Sequence, residues 1–236
     1  MNRKPEIPKG IAHLELIDTA SKIAQEETIE NLRRYLPQLV MIGTSLSALY
    51  QAATCHRKCH GGNHLLEALS GRVYNIGCAA YLLVRQGLYD EALNLLRSAG
   101  EVANLIMLSV VDKNAIREWI ASDKKTRLAK YSPAKIRKQL EEKKGVLIAN
   151  KDWYAKFCEE YTHVTPATKP NLHNEAGLPF VGGIYQQQGL SYSLNEIVNV
   201  LGSTAILICK YFDFDDLLED LAAYVKSDSD GKPGNS

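Results

Sequence analysis

The sequence predicts an all-α fold: a single helical bundle of about eight helices built around a central antiparallel hairpin at residues 64–111. Apolar residues recur at helical spacing through most of the 236 residues, and residues that start or stop helices punctuate the chain at intervals of ten to twenty. The content of 45% apolar and 23% charged residues suits one domain with a real core and excludes a disordered or fibrous chain.

Residues 1–17 read as a flexible N-terminal segment, 18–226 as the bundle and 227–236 as a disordered tail, because both ends are polar and aperiodic. Asp18 or Thr19 can cap a first helix through Tyr35, stopped by Pro37. A second runs from Gln38 to His60, where Gly61 and Gly62 suit a helix end and Asn63 can cap the next helix. The stretch His64 to Gln86 is the most apolar, and after a short loop at Gly87 its partner runs from Asp90 to Val111, which gives the hairpin. Further helices span Asn114 to Lys130, Ser132-Pro133 to Gly145, and Asn150 to about Thr162. Ser193 to Glu196 forms a capping box for a helix to Phe212, and Phe214 to Lys226 is a last amphipathic helix. The remainder, Val164 to Tyr192, is a long irregular loop with three prolines and four glycines, in which Phe180 to Tyr185 has the makings of a short hairpin.

Targeting and redox signals are few. The apolar run Ile76 to Val84 is about half of the ~20 residues that cross a bilayer, and the first ten residues lack the apolar stretch of a signal peptide, so no membrane partner is expected. Five cysteines, an odd number, fit a reduced cytoplasmic setting better than a disulfide framework. No phosphate-binding glycine loop, nucleophile elbow, His-Glu-x-x-His or EF-hand loop occurs, and the residues assign no cofactor.

Formal charge is +1 overall but unevenly placed. Asp123 to Lys144 holds nine basic and three acidic residues, +6; Asp213 to Asp230 holds seven acidic and one basic, −6. Lys124, Lys125, Arg127, Lys130, Lys135, Arg137 and Lys138 are candidates for holding a phosphate backbone. The plain alternative is a solvated pair of helices partly neutralised by the acidic segment folding back.

Three constellations carry chemistry. Asp90, Asn94, Arg97, Glu101 and Asn104 succeed one another at spacings of four and three, a narrow polar stripe on an otherwise apolar helix. Such a stripe is either an internal ion pair with amide neighbours or the lining of a pocket. His163, at a helix end where the long loop begins, suits general acid or base work or a bond to the helix dipole. Cys55, Cys59, His60 and His64 offer thiolate and imidazole ligands at i,i+4 spacing, but without a Cys-x-x-Cys knuckle, so zinc and a merely well-capped helix end both stay open.

The segment YLLVRQGLYDEALNLLRSAGEVANLIML, residues 81–108, resembles a pattern in a family of bacterial helical proteins of unknown function, in which a Gly-x-Tyr/His-x-x-Ala turn leads into Leu-Arg-Ser-x-x-Glu. YAKFCEEYTHVTP, residues 154–166, is similar to a later Tyr/His segment of that family. The resemblance implies Arg97, Glu101 and His163 as site residues. More distantly it is HEPN-like, which implies a metal-independent ribonuclease of phage defence or a toxin system. The HEPN pattern of an Arg and a His with four to six residues between them occurs here only as Arg57 and His64, about as often as chance supplies. The expected function is therefore RNA binding or cleavage, with Arg97 stabilising charge, Glu101 orienting it and His163 as acid or base. The alternative is a non-catalytic helical module with a structural Arg-Glu pair, whose partner is another protein or a second copy.

Overall fold

The structure is a computed structural model that describes residues 7–57, 59, 61, 64–166 and 168–230, with backbone alone for 224–230. All regular elements among the described residues are helical: α1 Ile11–Leu32, α2 Leu36–Ala53, α3 Leu65–Arg85, α4 Tyr89–Val111, α5 Lys113–Ala121, α6 Lys124–Tyr131, α7 Pro133–Glu142, α8 Lys151–Phe157, α9 Gln187–Ile197, α10 Ser203–Phe212 and α11 Asp215–Asp230. Short π-helical turns at Cys158–Thr162 and Val198–Gly202 extend α8 and join α9 to α10.

The α3–α4 hairpin is the spine. Ala, Leu, Met and Glu dominate α4, good helix formers with no proline among them, and thirteen of its residues are buried. Leu93, Leu96, Ile106 and Leu108 are fully enclosed, and burial of each side chain is worth about 2 kcal/mol. α2, α9 and α10 pack around the α3 side to form the main core, whereas Leu105, Met107 and Leu108 at the end of α4 join Ile116, Tyr131, Ile136 and Leu140 in a second, smaller cluster under α5–α7. One helix therefore contributes to both cores.

Several boundaries differ from the sequence expectation. α1 begins at Ile11, not Asp18, because no helix breaker separates Gly10 from Pro37; residues 11–17 of the supposed flexible segment are helical. Ile11, Leu14 and Ile17 are 76, 60 and 53% exposed there. α2 stops at Ala53 rather than His60. Its end is a Schellman motif: the amide of His56 bonds the Gln51 carbonyl, the amide of Cys55 bonds that of Ala52, and Cys55 takes the left-handed position. Asn63, the expected cap of α3, lies outside the described residues.

The stretch 114–130 divides at Ser122, since Asp112 and Asp123 each cap a helix of their own through bonds to backbone amides. The Ser193–Glu196 capping box does not form. Ser193 is buried inside a helix that starts at Gln187, and Gly189 lets that helix pass the Tyr89 ring, where a Cβ would lie 2.4 Å from a ring carbon. Phe180 to Tyr185 forms no hairpin; Ile184 instead donates its amide to the Gly87 carbonyl at the spine turn. The last helix runs to Asp230, into the expected tail.

Gln187–Phe212 is long and apolar enough by length and composition to cross a membrane, although its first turns have the sequence character of a loop. Most of it is buried in the main core, as a central helix should be.

Candidate functional site

The polar stripe of α4 is a seam. Each of its five side chains reaches the segment 148–173, which crosses α4 along its length. At one end Asn104 is buried and saturated: its amide donates to the Ala149 carbonyl at 2.8 Å, and its oxygen accepts the amides of Ile148 at 3.0 Å and Ala149 at 3.2 Å. Gly100, a turn earlier, admits that strand of chain; a Cβ there would lie 2.8 Å from the Ala149 methyl.

Next along the seam, Arg97 donates to Glu101 at 2.5 Å and to the Tyr154 hydroxyl at 3.0 Å, and Tyr154 in turn donates to Glu101 at 2.8 Å. The triangle is closed, with Tyr154 accepting from one charge and donating to the other. Burial, reinforced by the Glu101 bond, pushes Tyr154 up to about 12. Burial opposes the charge on Arg97, but Glu101 and Tyr154 outweigh it and its pKa rises. Arg97 Nε is buried with no hydrogen-bond partner among the described residues. One turn further, the Thr162 hydroxyl donates to Asn94 at 2.9 Å. Its backbone belongs to the π-helical turn that ends at His163, a kind of distortion common at functional sites.

The first residue of the seam anchors the long loop. Asp90 accepts the Asn171 amide at 2.7 Å and meets His173 Nε2 at 2.7 Å. The His173 ring lies edge-on to Tyr89 and stacks on Tyr161. Asn171 donates to the carbonyls of Gly87 and Gly182, and Gln186 donates to the Asn171 carbonyl while accepting from His173 and Asn174. The loop expected to be irregular is irregular in shape but tied to the spine turn. His173 and Asp90 line a cavity of about 390 Å³ with Glu159, Glu160, Tyr161 and Lys169.

Of the three catalytic candidates, the structure joins Arg97 to Glu101 and leaves His163 exposed, its ring bonded to neither among the described residues. The histidine of this region that meets a carboxylate is His173, at 2.7 Å from Asp90, and sequence reasoning does not single it out. Its one signal is the unexplained Asp90 at the head of the stripe.

The basic candidates lie on α6 and α7. Lys124, Lys125 and Lys135 are exposed with no ion pair among the described residues; Lys130 pairs with Glu118 at 3.6 Å and Lys138 with Glu142 at 3.7 Å. Arg127 donates to the Ser122 carbonyl. Arg137 lies over the Tyr154 ring at 4.3 Å, so it links the basic face to the seam. Between them is a cleft of about 210 Å³ walled by Trp119, Tyr131, Ile136, Arg137 and Tyr154, with Glu101 at its edge. A larger hollow of about 400 Å³ outside α5–α7 is of mixed sign, with Lys130, Lys135 and Lys138 against Asp112, Glu118 and Glu142.

The acidic segment does not fold onto this face. α11 packs on α2 and α10, and Asp216 forms a bidentate pair with Arg57 at 2.5 and 2.8 Å. The Arg57 hydrogen bonds hold the Asp216 carboxyl down at about 2.

Cys55, Cys59 and His64 converge beyond α2, and His60 lies outside the described residues. Compared with protein-family models, curated proteins and solved structures, the chain has no significant match.

Proposed function

We propose that this protein binds single-stranded RNA on the face of α5–α7, with a base in the aromatic cleft and the backbone on Lys124, Lys125, Lys130, Lys135 and Lys138. The observation that carries this reading is the cleft itself: three aromatic side chains and a guanidinium beside lysines that the acidic helix leaves unneutralised. Unstacked bases are held on aromatic and arginine planes, at about 1–3 kcal/mol per base, and the phosphates add affinity that salt weakens.

Fluorescence anisotropy with a labelled oligoribonucleotide of about ten nucleotides tests it. Binding should weaken steeply with salt and quench Trp119, which a Trp153→Phe variant isolates because the chain has two tryptophans. Absence of binding at about 50 mM salt removes the reading.

In its catalytic form the protein is a HEPN-like, metal-independent ribonuclease of phage defence or a toxin system, with Arg97, Glu101 and His163 at the reacting phosphate. A second assignment is favoured by the Asp90–His173 pair, in which the carboxylate orients the imidazole for acid or base work. Cleavage assays separate them. Loss in His163→Ala alone carries the first, loss in His173→Ala alone the second, and no cleavage by the wild type leaves binding only. The non-catalytic module draws its support from the uncovered apolar residues of α1, and sedimentation of the full chain shows whether they bring two copies together.

A further inference from the structure

The chain between α2 and α3 gathers three side chains of metal-binding type. One ligand atom from each of Cys55, Cys59 and His64 lies within 4.8 Å of the other two. The geometry points to a Zn²⁺ site held by the Cys55 and Cys59 thiolates and the His64 imidazole, a staple across the α2–α3 connection.

Distances are the first support. The two thiols lie against different nitrogens of one ring, Cys55 Sγ 3.7 Å from His64 Nδ1 and Cys59 Sγ 4.0 Å from Nε2, and Nε2 is the nitrogen that Glu67 leaves for an ion. Tetrahedral zinc, with bonds of about 2.3 Å to sulfur and about 2.0 Å to nitrogen, sets such ligand atoms roughly 3.6 Å apart. With one ligand atom taken from each residue the three lie within 4.8 Å of one another, so an ion would draw them in by up to about 1 Å.

Backbone conformation is the second. Cys55 occupies the left-handed position of the Schellman motif that ends α2, with φ 52°, where glycine is the usual residue. His64 precedes α3 with φ 49° and makes no capping bond. Both ends of the connection thus hold a side chain in a backbone conformation that a glycine or asparagine adopts more easily. Such strain persists where the side chain itself is needed.

Glu67 is the third. Its side chain is only 9% exposed, yet its ion partner is the imidazole of His64, 3.5 Å away at Nδ1. A carboxylate behind a ligating histidine fixes the ring and its tautomer, and a dication nearby offsets the charge of a buried carboxylate. Thiolates with an imidazole select zinc over the harder magnesium and calcium. On binding, each thiol gives up its proton to solvent, and water fills the fourth position. His64 and Glu67 also line a cavity of about 280 Å³, which leaves the ion a path inward.

The test uses the full chain, reduced and stripped of metal. Titration with Co²⁺ should give one equivalent of a tetrahedral spectrum with thiolate-to-metal charge transfer, abolished by added Zn²⁺. Zinc should raise the melting temperature of the wild type. Cys55→Ser, Cys59→Ser and His64→Ala should each lower zinc affinity, measured against a chelating dye, by about tenfold or more, and Glu67→Gln by about tenfold. Cys78→Ser should leave it unchanged. An octahedral cobalt spectrum without charge transfer overturns the proposal. So does full affinity in a Cys55→Ser, Cys59→Ser double variant, or a Cys55–Cys59 disulfide in the untreated chain together with no zinc uptake after reduction. Melting of each variant without metal shows that it folds, so lost affinity is read at the site.

Discussion

The seam of α4 and the face of α6–α7 use the same side-chain chemistry to opposite ends. In the seam, Arg97, Glu101 and Asn104 are at least partly buried and each is engaged by a partner on residues 148–154 or on its own helix. On the basic face, Lys124, Lys125 and Lys135 stand in water with no carboxylate paired to them among the described residues. Burial requires the first set to be paired, since a polar group taken from water must be satisfied. Exposure leaves the second set free to meet something else. Arg137 stands between the two, covering Tyr154 while belonging to the basic helix.

Asn104→Leu should break the seam most severely. It removes the partner of two amides and a carbonyl, at about 3 kcal/mol or more, which in a domain of this size lowers the melting temperature by roughly 6–12 °C. A melting temperature within a degree or two of wild type would mean that the seam does not hold residues 148–154 in place.

Glu101→Leu should cost less, about 1–2 kcal/mol, because the Arg97 it strands is 19% exposed and water can still reach it. Adding Arg97→Met should recover part of the loss, since removing both charges leaves neither uncompensated. A double-mutant cycle from urea melts measures the coupling.

Alkaline pH probes the same triangle without mutation. Burial holds Tyr154 at about 12 and Tyr89 at about 12, above the ordinary tyrosine value of 10.0. The folded chain therefore keeps protons that the unfolded chain releases. That stabilisation is complete below about pH 10 and is lost as pH rises toward about 12. Urea midpoints should fall across that window, and Tyr154→Phe should fall less steeply than wild type.

The smallest stability effect belongs to the exposed face. Lys124→Gln with Lys135→Gln should change the unfolding free energy by less than about 0.5 kcal/mol. The same variant should weaken RNA binding and reduce the slope of log affinity against log salt by about one to two. A large loss of stability there would place these lysines in the scaffold and erase the contrast with the seam.

Much of the hairpin is legible in the sequence alone. α3 and α4 lie within a residue or two of their expected limits because Gly87 and an apolar stripe at helical period act locally. Asp90, Asn94, Arg97, Glu101 and Asn104 are recognisable as an anomaly for the same reason: charge on an apolar helix shows in one dimension. What they touch does not. Tyr154 is more than fifty residues from Glu101, and His173 more than eighty from Asp90. The start of α9 escapes a sequence reading because Gly189 looks like a breaker until the Tyr89 ring stands over it. The end of α2 is misplaced by that reading because glycines at 61 and 62 signal a stop more loudly than a cysteine that adopts their conformation.

Periodicity, composition and helix-end chemistry were enough for an all-helical chain with a central hairpin and a segregated basic segment, since each depends on neighbours within a few turns. The pairing of Arg97 with Tyr154, the choice of His173 over His163 as the carboxylate-bound imidazole, the placing of the acidic helix away from the basic one and the gathering of Cys55, Cys59 and His64 depended on folding. Each rests on groups distant in sequence or on a backbone turn that local preference disfavours, and packing of the whole chain decides such contacts.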